Sequence, residues 1–178
     1  MKDFFHRVRV NTKDADSLRF LWKEDIHSNS PPDTYQMLVH VFGAKDSPGC
    51  SNYALKRVTR DNAEQFDGLT TWSVLHVYVD DLLKSVQTEE QAIKVALELI
   101  DMLRKGSMKL TKFVSSSKAV LDALPAADVS PPGTVSINGE EASIQRALGE
   151  IWDTLADIIT FLPNLRIVHL PKGESLPQ

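Results

Sequence analysis

The pattern of apolar and polar positions predicts one helix more clearly than any other element. Thr88 and Gln91 form a Thr-x-x-Gln capping box, which predicts a helix start, and Gly106 predicts its end. Charged residues lie mostly off one apolar stripe, which consists of Ala92, Val95, Ala96, Leu99, Met102 and Leu103. Helical spacing also predicts a helix over residues 51–66 and a short one over residues 117–123.

Segments rich in alternating, aromatic or β-branched residues predict strands in the rest of the chain. The strand at 34–43 is expected to pair back on the apolar stretch that ends at Trp22, across a loop that contains Pro31 and Pro32. The other predicted strands cover residues 4–10, 73–79, 82–86, 108–115, 135–137, 147–152 and 158–162. Hairpins that alternate with helices indicate an α+β fold around an antiparallel sheet.

The composition limits the classes of protein that remain. The chain has 178 residues, 42% of them hydrophobic and 25% charged, as expected for one globular domain. No apolar run approaches the roughly 20 residues that span a bilayer, so we expect no membrane partner and no signal peptide. The single cysteine, Cys50, excludes an internal disulfide and fits a reducing compartment. The net charge of -4 means that nucleic-acid binding would need a local basic patch.

Two adjacent acids, Asp80 and Asp81, stand between two strand-forming runs in the segment WSVLHVYVDDLLKSV, residues 72–86. This pattern predicts a hairpin with both carboxylates at its tip. Neighbouring carboxylates repel each other, and a divalent cation removes that cost. A bare pair of acids is, however, more often a plain exposed turn, because Asp is favoured in turns.

Several further motifs occur around this pair. Tyr78-Val79-Asp80-Asp81 resembles the Tyr-x-Asp-Asp signature of reverse transcriptases, and FGAKDSPG (residues 42–49) resembles their Gly-x-x-x-Ser-Pro segment. GSMKLTKFVSSS (residues 106–117) and ALGEIWD (residues 147–153) are similar to motifs of the Pao/BEL group of long-terminal-repeat retrotransposons. Over about residues 1–162 the chain thus resembles a reverse transcriptase of this group, with the motifs in the family's order.

The resemblance implies an α+β fold, an antiparallel-sheet polymerase palm with flanking helices, truncated at its N-terminus. Residues 1–48 would be the end of the fingers and palm, residues 49–162 the palm core, and residues 163–178 a C-terminal tail. The implied activity is template-directed nucleotidyl transfer with two metal ions, Mg²⁺ or Mn²⁺.

The resemblance also implies roles for individual residues near the reacting groups. Asp80 would be the main metal ligand, with Asp81 beside it, and Lys112 would protonate the leaving pyrophosphate. Asp3 would lie near the nucleotide triphosphate, and Phe5 under its ribose. Two further residues would complete the nucleotide site: Gly43, through close backbone approach, and Ser47, which with Pro48 starts a helix.

Contacts to primer and template are implied for Tyr78, Lys56, Arg57, Leu148 and Gly149. Lys56, Arg57 and Arg60 are equally explained by a solvated helix face, and Lys112 by a solvated strand. Phe5 is equally a candidate core residue.

In the family, the first catalytic aspartate lies five residues before the aromatic residue under the ribose. Counted back from Phe5, this position falls one residue before Met1. Asp3 is not at that position. We therefore expect the chain alone to be inactive, as a fragment of a longer enzyme. That parent would bind an RNA or DNA primer–template and deoxynucleotides. It would also carry protease, RNase H and integrase segments, within cytoplasmic virus-like particles. Smaller departures from the motifs are Phe113, Ser116 and Glu150.

Two other functions stay open. The chain could be a nucleic-acid-binding or interaction module that does no catalysis. A metal-dependent phosphohydrolase would need clustered histidines or acids, whereas the five histidines are scattered along the sequence.

Overall fold

The computed structural model of the chain describes residues 1–131, 134–137, 140–147 and 150–160. In chain order its strands and α-helices are β1 (Arg19–Trp22), β2 (Asp33–Gln36), α1 (Ser47–Asn62), α2 (Gly68–Ser73), β3 (Val77–Tyr78), β4 (Asp81–Leu82), α3 (Glu89–Lys105), α4 (Lys118–Asp122), β5 (Thr134–Ile137), β6 (Glu140–Ala147), β7 (Glu150–Asp153) and β8 (Ile158–Thr160). Short 3₁₀ helices cover Phe5–Arg7, Ala15–Leu18, Ala63–Gln65, Val74–His76 and Ala126–Asp128.

The strands of the described residues form three small antiparallel sheets instead of the one sheet that the sequence predicted. These are β1–β2, β3–β4 and β5–β6–β7–β8. The α+β class is confirmed. The predicted pairing of the second strand back on the first is also confirmed, with Phe20 opposite Tyr35, although β2 ends at Gln36 and not at residue 43.

Helix α3 forms as its pattern predicted. The Thr88 hydroxyl accepts the Gln91 N–H at 3.2 Å, and the Gln91 side chain accepts the Gln87 N–H at 3.3 Å. At the other end, the Gly106 N–H donates to the Leu103 carbonyl at 3.0 Å. The buried side chains of the helix all belong to the predicted stripe, and they are Val95, Leu99, Met102 and Leu103.

The core is built on this face of α3. Leu55 of α1 is fully buried in it, and Val74 and Met108 approach from the segments on either side of α3. Burial of one such side chain contributes about 1.5–3 kcal/mol. Phe4 and Phe5 complete the cluster, with 2% and 7% of their surfaces exposed.

Burial of two consecutive residues explains why the predicted strand at 4–10 is wrong. A strand turns successive side chains to opposite faces, so Phe4 and Phe5 could not enter one core from a strand. The backbone forms the 3₁₀ turn Phe5–Arg7 instead, and this part of the chain keeps only a single bridge, between Arg9 and Val39.

The predicted strand at 73–79 is also mostly helical. Asp67 caps α2 by accepting the Leu69 N–H at 2.8 Å, and a 3₁₀ turn continues to His76, so β3 holds only Val77 and Tyr78. Asp67 also forms an ion pair with Lys94 of α3 at 2.7 Å, and this hydrogen bond lowers the pKa of Asp67 below its ordinary value. Local capping therefore overrides the β-branched pattern here.

The predicted strand at 108–115 forms no ladder with any described residue. Within the described ranges its only bridges are Lys2–Lys109 and Phe113–Val129. Lys112 lies in the left-handed region, with φ 61°, which interrupts an extended strand.

The predicted strand at 82–86 is wrong beyond Leu82, where β4 ends. The helices predicted at 51–66 and 117–123 are confirmed as α1 and α4, and the C-terminal strands as β5, β7 and β8. The polar strand β6 was not predicted. Residues 161–162 of the last predicted strand and the proposed tail lie outside the described residues.

Close packing at Gly106 yields a first prediction. A Cβ placed there would lie 2.4 Å from Cγ2 of Val58 on α1, so Gly106→Ala forces α1 and α3 apart. We expect a loss of about 1–3 kcal/mol in the free energy of unfolding, the usual cost of overpacking. Urea unfolding followed by circular dichroism measures it.

Gly49→Ala is the matched control, because a Cβ at Gly49 meets nothing within 4 Å. It should be neutral or stabilising by up to about 1 kcal/mol. Val58→Ala should remove most of the cost of Gly106→Ala. Equal losses for the alanine variants of both glycines would contradict the close contact.

Candidate functional site

The two acids lie at a hairpin, but not both in its turn. Tyr78 of β3 pairs with Asp81 of β4, so the two-residue turn consists of Val79 and Asp80. The prediction of a two-acid turn is therefore wrong by one position: Asp81 is the first residue of β4. Both carboxylates are exposed. Adjacent residues of a short hairpin thus present two negative charges to solvent without an ion-pair partner among the described residues.

The turn carries backbone strain at Val79. Its φ is 54°, a conformation that β-branched residues rarely adopt and that costs on the order of 1–3 kcal/mol. The Val79 side chain packs against the core, which holds the turn in place. Strain that is fixed by packing keeps Asp80 in a defined position next to Asp81.

A groove of about 260 Å³ lies beside this hairpin. The apolar face of α3 and the segment from Leu110 to Ser115 both line it. The groove is lined by both carboxylates, by Lys112 and by Trp152 of β7. The fold thus brings together the three residues assigned to catalysis, although Lys112 is far from the pair in sequence.

The backbone nitrogen of Met1 also lines this groove. It donates to the Asp80 carbonyl oxygen at 2.6 Å, while the next residue, Lys2, donates its N–H to the Lys109 carbonyl at 2.9 Å. The first residues therefore lie between the hairpin and the segment that carries Lys112.

The donor set for a metal ion is limited to the pair. In the described part of the chain no three His, Cys, Asp or Glu side chains lie close enough together to hold an ion. Asp80 and Asp81 suit Mg²⁺ or Mn²⁺, which commonly bind one or two carboxylates with water and phosphate oxygens as further ligands. Two carboxylates are fewer donors than the two metal ions implied by the resemblance would need.

The residues assigned to the nucleotide lie together, but they do not line the groove. Phe5 is buried and contacts Phe42 edge to face, with ring centroids 4.8 Å apart. Gly43 follows with φ 86°, which an L-residue rarely adopts. The Ser47 hydroxyl donates to the Val41 carbonyl at 2.7 Å and so fixes the start of α1. The burial of Phe5 matches the interpretation as a core residue.

Asp3 does not share the groove with the pair of acids. It forms an ion pair with Arg7 at 3.7 Å, has φ 53°, and does not line the groove.

The residues assigned to primer and template are dispersed. Tyr78 is 67% exposed at the hairpin. Lys56, Arg57 and Arg60 are exposed on α1 and do not line the groove. Arg57 donates to both carboxylate oxygens of Asp61 at 2.8 Å, which raises its pKa, as on a solvated helix face. Leu148 and Gly149 lie outside the described residues.

An aromatic and cationic cluster next to the hairpin was not predicted. The rings of Trp72 and His76 lie 3.9 Å apart, and Lys84 Nζ lies 4.0 Å from the Trp72 ring centroid. The four-residue spacing of Trp72 and His76 could have indicated this contact. It does so only on a helix, and the sequence predicted a strand here.

No family model matches the chain, and no curated protein matches it either. None of the described helices is long and apolar enough to cross a membrane.

Proposed function

We propose that the chain forms the palm region of a reverse transcriptase similar to those of Pao/BEL retrotransposons. In a full-length parent enzyme this region serves template-directed nucleotidyl transfer, with carboxylates of the metal site supplied by the hairpin at Asp80 and Asp81, while the chain alone is expected to be inactive. The observation that carries the proposal is the groove that Asp80, Asp81 and Lys112 line together. These residues belong to two separate motifs of the resemblance, and their convergence in one groove supports it.

The chemistry assigns a distinct part to each group. In two-metal nucleotidyl transfer the ions, roughly 3.5–4 Å apart, stabilise the attacking and leaving oxygens. Asp80 and Asp81 would hold the ions from the protein side, and the strained turn at Val79 fixes the carboxylates relative to each other. Lys112 is exposed at the groove and can donate a proton to a leaving pyrophosphate oxygen.

A third carboxylate has a defined place in this arrangement. The motif puts an aspartate directly before Met1, and the Met1 nitrogen lies 2.6 Å from the Asp80 carbonyl oxygen. A residue joined to that nitrogen would lie at the hairpin. The proposed two-metal site is therefore completed by a carboxylate at this point, within a longer chain that binds deoxynucleotides and a primer–template.

A second candidate is nucleic-acid binding without catalysis. It is supported by the exposed Trp72 ring beside Lys84 and by the exposed Tyr78 of the hairpin, because bases stack on such rings and a cation pairs with phosphate. This function requires no third carboxylate.

Completion of the site can be tested with one added residue. A single aspartate is joined to the Met1 nitrogen, and cleavage of a removable tag leaves it as the first residue. This chain should bind Mn²⁺ at least about tenfold more tightly than a chain with a single added asparagine. Titration of free Mn²⁺ by electron paramagnetic resonance measures the affinities.

The asparagine-extended chain is the control, because it has the same length and also lacks the positive charge at the Met1 nitrogen. Asp80→Asn in the aspartate-extended chain should abolish the gain. Equal Mn²⁺ affinities for the two extended chains would contradict the proposed site and favour the non-catalytic function.

Catalysis gives a separate prediction. The 178-residue chain itself should show no template-dependent incorporation of deoxynucleotides with Mg²⁺ or Mn²⁺, because its described residues supply only two of the carboxylates. Primer extension on an RNA template measures this. Incorporation that disappears in the Asp80→Asn chain would show that the two carboxylates suffice and would overturn the requirement for a third.

A further inference from the structure

The hairpin of β1 and β2 exposes both of its faces, since every residue of its two strands is exposed. One face carries Phe20, Trp22 and Tyr35, which are 42%, 57% and 49% exposed. The rings of Phe20 and Tyr35 are stacked, with centroids 5.8 Å apart. A hairpin of two strands is marginally stable in water, and it becomes stable when further strands join it. The β1–β2 hairpin therefore lacks the partner that such an aromatic face requires.

The backbone hydrogen bonds show which groups of β1 are free. The Met37 N–H donates to the Leu18 carbonyl at 3.1 Å, so this pair, at the start of the ladder, bonds inwards. The direction of the backbone groups alternates along a strand, so Arg19 and Leu21 direct their N–H and C=O groups away from β2. No segment of the described chain bonds to these outward groups.

The outer edge of β2 differs from that of β1. Just past β2, the Val10 N–H donates to the Leu38 carbonyl at 3.0 Å, and the bridge between Arg9 and Val39 belongs to the same pairing. Another segment of the chain thus already runs along the continuation of that edge. The open edge of the hairpin is therefore the edge of β1.

The sequence of β1 is suited to pair with itself. When two β1 strands lie antiparallel and are centred on Leu21, the outward backbone groups of the two Leu21 residues meet each other. Phe20 then lies opposite Trp22 of the second copy, and this aromatic pair occurs twice. Cross-strand aromatic pairs stabilise a sheet, and here they extend the stacked pair of Phe20 and Tyr35.

This register also places Arg19 opposite Lys23 of the second copy. Like charges opposite each other destabilise a sheet. Both cations, however, have partners within their own chain: Arg19 lies 2.8 Å from Asp16, and Lys23 donates to the Ser28 carbonyl. The cost of this pair is therefore reduced.

Charge distinguishes a second copy from other occupants of this edge. Residues 13–33 contain five Asp or Glu residues and only three Lys or Arg residues. This part of the chain thus repels phosphate groups, which disfavours a nucleic acid or an anionic membrane. A polypeptide strand with an apolar centre meets no such barrier, and β1 itself is such a strand.

We propose that the chain forms a symmetric dimer in which the β1 strands of two copies pair antiparallel about Leu21. The result is a four-stranded sheet in the order β2–β1–β1–β2, with three aromatic side chains from each copy on one face. The contact closes at two copies, because both outer edges of the new sheet are edges of β2. The inference does not rest on the proposed catalytic function, since it uses neither the pair of acids nor the groove.

Disulfide formation tests the register. Cys50→Ser removes the single cysteine, and Leu21→Cys in this background places two thiols opposite each other across the interface. Thr34→Cys is the matched control, because Thr34 lies opposite Leu21 in the hairpin and is exposed as well. In the dimer, Thr34 would be three strand spacings, about 14 Å, from Thr34 of the second copy. A disulfide cannot span that distance.

In a glutathione redox buffer, the Leu21→Cys chain should form a disulfide-linked dimer at least about tenfold faster than the Thr34→Cys chain. Non-reducing gel electrophoresis measures both rates. Equal rates would overturn the proposal. Faster linkage of a Tyr35→Cys chain than of the Leu21→Cys chain would place the contact on β2 and would overturn it too.

Sedimentation velocity adds a measurement on the unaltered 178-residue chain, which should show a monomer–dimer equilibrium below roughly 1 mM. Trp22→Lys should raise the dimer dissociation constant at least about tenfold, because it places a charge in the aromatic row. Tyr53→Lys is the control, since Tyr53 is an aromatic residue of α1 that is 64% exposed, and it should leave the constant unchanged. A monomer at every concentration, species larger than a dimer, or equal effects of the two variants would each overturn the proposal.

Discussion

The packing of the apolar face of α3 is the constraint on which the rest of the structure depends. Leu99, Met102 and Leu103 are almost completely buried, and the elements around them are fixed by contact with this face. Helix α1 approaches it so closely that only glycine fits at position 106 opposite Val58. The hairpin between β3 and β4 has too few backbone bonds to be stable alone, so its position depends on Val77, Val79 and Leu82 packing against this core.

This dependence links the core to the candidate site. Val79 has a backbone conformation that costs free energy, and its contact with the core is what makes that conformation tolerable. The same contact sets Asp80 and Asp81 at a groove that the segment carrying Lys112 also lines. Two like charges at one hairpin repel each other, and exposure to solvent reduces that repulsion.

The sequence predicted what depends on local patterns and missed what depends on contacts distant in the chain. Helix α3 was predictable because Thr88, Gln91 and Gly106 are local signals. The helical turns before the hairpin were not, because their cap, Asp67, precedes a β-branched run. The exact turn was missed because no rule of turn chemistry places valine at a positive φ. In the site, the motifs singled out Asp80, Asp81 and Lys112, and only the fold brings them to one groove with Trp152.

The proposed function places a divalent ion in this groove. Paramagnetic broadening of the amide signals of the 178-residue chain by trace Mn²⁺ tests it most directly, because broadening falls steeply with distance from the ion. We expect Asp80, Asp81 and Leu82 to broaden first, followed by Lys112, which also lines the groove. First broadening at another acidic region, such as Asp14 and Asp16 or Asp61 and Glu64, with the hairpin signals unaffected, would contradict it.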